Sequence, residues 1–79
     1  MAREGPRIVE WTDHALAKAE LLSIPRAHVE EAILTQHERR SRNTRAADWL
    51  VVSGRLVVAY NYPARDELTA LIVTLWQRS

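Results

Sequence analysis

Apolar and polar positions change their period midway along the chain. Residues 7–11 place Ile8, Val9 and Trp11 close together, residue types that suit a pleated, half-buried surface, and predict a short strand. Thr12 follows, whose hydroxyl can accept from a backbone N–H two or three residues on and so cap a helix. Asp13 adds a negative charge where the helix dipole favours one. Ala15, Leu16, Ala19 and Leu22 then recur at helical spacing and predict a buried stripe. Ser23 and Ile24 interrupt it, and Pro25 suits the first turn of a second helix. Val29, Ala32, Ile33 and Gln36 define one face of that helix, with Glu30 and Glu31 toward solvent. Two short helices joined this tightly form a helical hairpin.

Beyond the helices the pattern shortens to the period of strands. Residues 37–47 are polar and predict a loop, or a loop with a weak edge strand. Residues 49–52 are apolar and end at Ser53-Gly54, a hairpin turn signal. A second run, residues 55–62, is rich in β-branched and aromatic side chains. Pro63 and residues 64–67 break the pattern, and residues 69–76 make the last strand. Sequential strands with short turns predict an antiparallel meander. The expected fold is α+β, in the order β-α-α-β-β-β, with the helical hairpin packed on a three- to four-stranded antiparallel sheet. One domain across residues 1–79 accommodates it.

Both sides of the last two strands read as apolar. Leu56, Val58 and Tyr60 alternate with Val57 and Ala59, and Leu71, Val73 and Leu75 alternate with Ala70, Ile72 and Trp76. A sheet with one wet face should alternate apolar with polar. Two helices cover one face. The other is buried within the monomer, covered by the polar stretch, or open to a partner.

Composition narrows the function classes. Seventy-nine residues with 47% hydrophobic content suffice for one core, and 11 basic against 10 acidic residues leave a net charge of +1. There is no cysteine, which excludes disulfides and thiolate metal sites. The three histidines lack metal-ligand spacing, and the two glycines, Gly5 and Gly54, make no phosphate-binding loop, so no cofactor or metal is expected. Residues 1–10 hold no signal-like apolar core, and no run of eighteen apolar residues exists to span a bilayer. A cytoplasmic location without membrane association is the expectation.

Several short motifs resemble a known family. Thr12-x-His14-Ala15 after a strand, Ile24 followed by Val29-x-x-Ala32-Ile33, Leu50-Val51-Val52, Val57-Val58-Ala59-Tyr60 and Leu71-Ile72-Val73-Thr74-Leu75-Trp76 resemble domain-of-unknown-function family 4258. The resemblance covers about residues 9–76 and extends to the RelE/ParE-like toxin superfamily. It implies a compact helical hairpin on a curved antiparallel sheet and, in the RNase members, mRNA cleavage on the exposed sheet side. The chain departs from the family pattern at Lys18, where arginine is usual, and at Ser23 and Pro25, where glycine and serine are usual. The lysine puts a bidentate arginine role in doubt.

The chemistry concentrates around residue 40. Arg39, Arg40, Arg42 and Arg45, beside His37, place clustered cations around a single acid, Glu38. Arginine grips phosphate through a planar fork, and clustered cations release counterions from nucleic acid. These four arginines are therefore candidate RNA contacts, or else members of a solvated loop paired with Glu30, Glu31 and Asp48. Metal-free RNA cleavage needs a base, a cation for the phosphorane and an acid. His14 and His37 are the candidate proton carriers, although His14 equally suits a packing role at the strand-to-helix corner. His28 reads as exposed. Arg55 and Tyr60 complete the candidate catalytic set. Tyr62, on the same side of its strand as Tyr60, is a candidate base-stacking residue; both tyrosines equally suit the rim of a core. Arg65 and Arg78 are further cations, and Trp11, Trp49 and Trp76 read as core or interface anchors.

The resemblance and the basic stretch together imply a toxin of a toxin–antitoxin or phage system acting as a metal-independent mRNA endonuclease. Its expected partners are RNA or the ribosome, an antitoxin or host protein, and a second copy of itself. The alternative is a non-catalytic module of the same fold that binds a host protein, DNA gyrase included.

Overall fold

The computed structural model describes residues 5–43 and 47–78. The elements run β1 (Ile8–Trp11), α1 (Asp13–Leu21), α2 (Arg26–Gln36), a 3-10 turn (His37–Arg39), β2 (Ser41–Arg42), β3 (Trp49–Ser53), β4 (Leu56–Asn61) and β5 (Thr69–Gln77). No helix among the described residues is long and apolar enough to cross a membrane.

Local chemistry explains where the helices begin and end. The Thr12 hydroxyl accepts from the Ala15 amide at 3.1 Å and caps α1. The same hydroxyl donates to the Ile72 carbonyl at 2.9 Å, so the cap also ties α1 to β5. At the other end Ser23 takes a positive φ of 58°. The Ser23 amide donates to the Glu20 carbonyl and the Ile24 amide to the Ala19 carbonyl, a Schellman closure with serine where glycine is usual. Pro25 stands just before α2 as its capping residue, one position earlier than the first turn expected for it. Val29, Ala32 and Ile33 are buried as expected. Glu30 differs: its carboxylate accepts from the Trp11 indole N–H at 2.9 Å, fastening α2 to the end of β1.

The sheet is five-stranded and mixed, in the order β1-β5-β4-β3-β2. This corrects the expected three- to four-stranded antiparallel sheet in two respects. β1 lies parallel to β5, in register from Ile8 with Thr69 to Trp11 with Ile72. Parallel neighbours need a long crossover, and here the rest of the chain supplies it. The polar stretch also contributes a strand: β2 pairs with β3 through Ser41 with Leu50 and Arg42 with Trp49. The described part of the stretch therefore extends the sheet sideways. Gly54 turns the β3–β4 hairpin with a φ of 63°, where a side chain would strain the backbone.

A bulge decides which side chains of β5 meet the helices. Ala59 pairs with Thr74, while Tyr60 pairs with Ile72, leaving Val73 as the extra residue. Strict alternation predicts Val73 and Leu75 on one side and Ile72 and Trp76 on the other. The bulge changes the parity, so Ala70, Ile72 and Leu75 all join the core. There they meet Ala15, Ala19, Val29, Ala32 and Ile33 from the helices and Val51, Val58 and Tyr60 from the neighbouring strands.

Every residue of β4 from Leu56 to Tyr60 is buried. On the helix-free face, Val57 and Ala59 form a floor shielded by larger neighbours across the strands. Val57 stands opposite Val52 and Trp76, and Ala59 opposite Leu50. Those shielding residues remain part-exposed, Val52 at 40% and Trp76 at 37%. The far face is thus apolar but open.

Candidate functional site

α2 hands over directly to the 3-10 turn, and the spacing carries the buried stripe one turn further. Val29, Ile33 and His37 are four residues apart and all are buried. His37 is consequently aimed at the sheet, 6% exposed, with the Tyr60 hydroxyl 2.6 Å from its Nδ1. Tyr60 is fully buried in the central strand of the sheet. Two residues on, Tyr62 meets the same imidazole edge to face, with ring centroids 4.8 Å apart.

Burial and charge set the protonation of the pair. Burial, helped by the nearby Arg40 cation, pushes the His37 imidazole below its ordinary pKa. Burial pushes the Tyr60 phenol well above its usual range, with Arg40 opposing and Tyr62 reinforcing. At neutral pH the pair is therefore a neutral imidazole beside a protonated phenol. The tautomer that donates from Nδ1 to the Tyr60 oxygen leaves the Nε2 lone pair free on the edge away from the sheet, and the opposite tautomer places the ring proton there. That edge faces the N-terminal segment, where a Cβ built on Gly5 would stand 3.3 Å from His37 Cδ2. Between this segment and the end of α2 lies a cleft of about 540 Å³, lined by Gly5, Pro6, Arg7, Leu34, Thr35, His37 and Glu38.

The cations beside this pair are organised by Trp49. The Arg40 guanidinium stacks 4.2 Å from the indole centroid and that of Arg42 5.3 Å from it. The indole N–H donates to the Tyr62 carbonyl at 3.1 Å, which fixes the ring that both cations use. Arg40 also donates to the His37 carbonyl at 3.1 Å, while its Nε is buried without a partner among the described residues. Both guanidinium groups thus lie over one indole, and N–H donors of this kind suit oxyanions.

The structure thus gathers His37, Tyr60, Tyr62, Arg40 and Arg42 into one corner. Arg39 follows in the 3-10 turn and is exposed. Arg45 lies outside the described residues. Arg40 and Arg42 turn to Trp49 and not to the acids offered as alternative partners.

Two of the expected catalytic residues stand elsewhere. His14 is exposed at the edge of β5, its Nε2 3.1 Å from the Thr74 hydroxyl. Arg55 lies in the β3–β4 turn at the opposite end of the sheet, its Nε donating to the Arg78 carbonyl at 3.2 Å. Neither belongs to the His37 corner, because each is carried by an element end that points away from it. Trp49, which the sequence marks as a core or interface anchor, is the platform of the site. Its signal was the direct opposition of two aromatic residues, since Trp49 pairs with Tyr60 across the strands.

Comparison with known proteins returns no match to any protein-family model, curated protein or solved structure.

Proposed function

We propose that this chain is a toxin-like RNA-binding protein of the RelE/ParE type that cuts RNA without a metal at the His37 corner. The observation that carries this reading is the convergence of a neutral, hydrogen-bonded imidazole with two guanidinium groups stacked on one indole. RNA enters along the cleft beside His37. With its own proton on Nδ1 toward Tyr60, His37 takes the proton of a ribose 2′-hydroxyl at Nε2, and the oxygen attacks the adjacent phosphorus. The 5′-oxygen leaves with a proton from solvent, and a 2′,3′-cyclic phosphate forms. Arg40 and Arg42 hold the phosphate and stabilise its added charge. Tyr60 orients the imidazole, and Tyr62 offers an aromatic edge to a base.

Expression of the wild-type chain should arrest growth, and the purified protein, with or without ribosomes, should yield RNA fragments ending in cyclic phosphate. His37→Ala and the double variant Arg40→Ala/Arg42→Ala should abolish both. Intact RNA under all these conditions removes the enzyme reading. The second reading, a non-catalytic module of the same fold that binds a host protein, is favoured by the depth of His37, at 6% exposure. It requires growth arrest to survive His37→Ala with RNA left intact.

A further inference from the structure

The sheet face turned away from the helices is independent of the His37 corner. Strand register assigns its members, because directly opposed residues share a side. Leu50 with Ala59, Val52 with Val57, and Val57 with Trp76 form its middle. Glu10 with Leu71, and Leu71 with Asn61, form one end. Thr74, opposite Ala59, belongs to the middle as well, and its hydroxyl meets the exposed His14 imidazole at 3.1 Å; the strands themselves place no charged side chain in that middle. Its exposed groups are Val52 and Trp76, with Leu50 part-buried beside them.

The two ends of this face carry opposite charge. Where β4 begins and β5 finishes stand Arg55 and Arg78, clamped to one another's backbone. Where β4 finishes and β5 begins, a recess of about 380 Å³ is lined by Glu10, Asp48, Asn61, Pro63, Ala64, Arg65 and Leu71. Arg65 is already engaged with Glu10 at 2.6 Å, and Asp66 and Glu67 follow in the adjoining loop. One end is basic and the other acidic, with an apolar floor between.

We propose that this face is a homodimer interface, with two copies stacked sheet on sheet about a two-fold axis that lies between them and runs across the strands. An uncharged middle can bury against its own copy without opposing like charges, whereas a polyanion gains nothing from it. Only the direction of the axis remains to be chosen, and the ends choose it. An axis along the strands lays Arg55 and Arg78 on the same two residues of the second copy. An axis across the strands lays them over the acidic recess, at both ends of the interface at once, as isologous contacts require. Five strands at about 4.8 Å spacing and about 17 Å length present roughly 400 Å² in projection. Side-chain relief and the rim loops bring this toward the ~800 Å² per partner of a standard interface.

Sedimentation velocity on the full chain, from low micromolar to a few hundred micromolar, tests this. The wild type should sediment as a dimer at the upper concentrations. Val52→Glu should raise the dimer dissociation constant about a hundredfold by burying an unpaired carboxylate, and Trp76→Glu provides a second variant. Far-UV circular dichroism checks that each remains folded, and Val52 is exposed enough in the monomer for the change to be tolerated there. Arg55→Glu should weaken the dimer about tenfold through its loss over the acidic recess. A wild type that stays monomeric throughout overturns the proposal, as does a dimer indifferent to both Val52→Glu and Trp76→Glu. A dimer strengthened or unchanged by Arg55→Glu overturns the axis. None of these outcomes depends on RNA cleavage, so this proposal and the RNase reading fail separately.

Discussion

Two pairs of arginines stand at opposite ends of the sheet, and the fold uses them differently. At the His37 end, Arg40 and Arg42 lie over the Trp49 ring, so an aromatic face holds their charged groups. At the hairpin end, Arg55 and Arg78 direct their Nε donors at backbone carbonyls, Arg55 to Arg78 and Arg78 to Gly54, each at 3.2 Å. The first pair is positioned by side chains whose own places are fixed in the core. The second pair staples strand ends together, and its remaining N–H groups face solvent. The lesson is that a cation's use depends on what holds its stem and inner nitrogen. A charge count along the sequence treats the two pairs alike.

Substitutions can break this contrast, beginning with the residue on which the first pair's surroundings rest. Tyr60→Ala removes a fully buried aromatic side chain and should cost about 3–5 kcal/mol in urea denaturation, a loss that reaches both ends through the central strand. Tyr60→Phe keeps the ring and leaves His37 Nδ1 without its hydroxyl partner. It should cost about 1–2 kcal/mol. Arg40→Ala should cost about 1 kcal/mol by uncovering the Trp49 face, visible also as a shift in indole fluorescence. At the far end, Arg78→Ala should cost roughly 0.5 kcal/mol, because its bonds are exposed and water replaces them. A loss at Arg78 equal to that at Arg40 would erase the distinction between stacked and stapling arginines.

Acid sharpens the same contrast. The folded His37 resists protonation, whereas the unfolded chain takes a proton near the ordinary pKa of 6.5. As pH falls below that value the unfolded state gains protons that the folded state refuses, so stability is lost toward low pH and is retained above. His37→Gln should flatten this part of the stability profile relative to the wild type. Arg55→Ala should leave its slope unchanged.

Much of the fold was readable from short-range signals. The Thr12 cap, the Val29, Ala32 and Ile33 stripe and the Gly54 turn all rest on interactions within a few residues, and all stand where the periodicity predicts them. The parallel pairing of β1 with β5 was not readable, since it joins residues more than sixty positions apart and leaves no local trace. The β5 bulge was equally hidden. Strict alternation describes a regular strand, and Val73 differs from its neighbours in no chemical respect that marks it as the extra residue. The site was half readable. Tyr60 and Tyr62 share a side at a period of two, and His37 continues the α2 stripe at a spacing of four. His14 and Arg55 are candidates by residue type, and type does not say toward which end of a sheet an element points.

Strand order bears on how the chain is made. β5 follows the other strands of the sheet along the chain, yet it lies between β1 and β4 and supplies Ala70, Ile72 and Leu75 to the core. A nascent chain that stops short of it holds β1 with no neighbour and α1 with nothing to pack on. Vectorial synthesis therefore cannot build this molecule in stages from its N-terminus. The apolar stripe of α1 lacks its packing surface until β5 emerges.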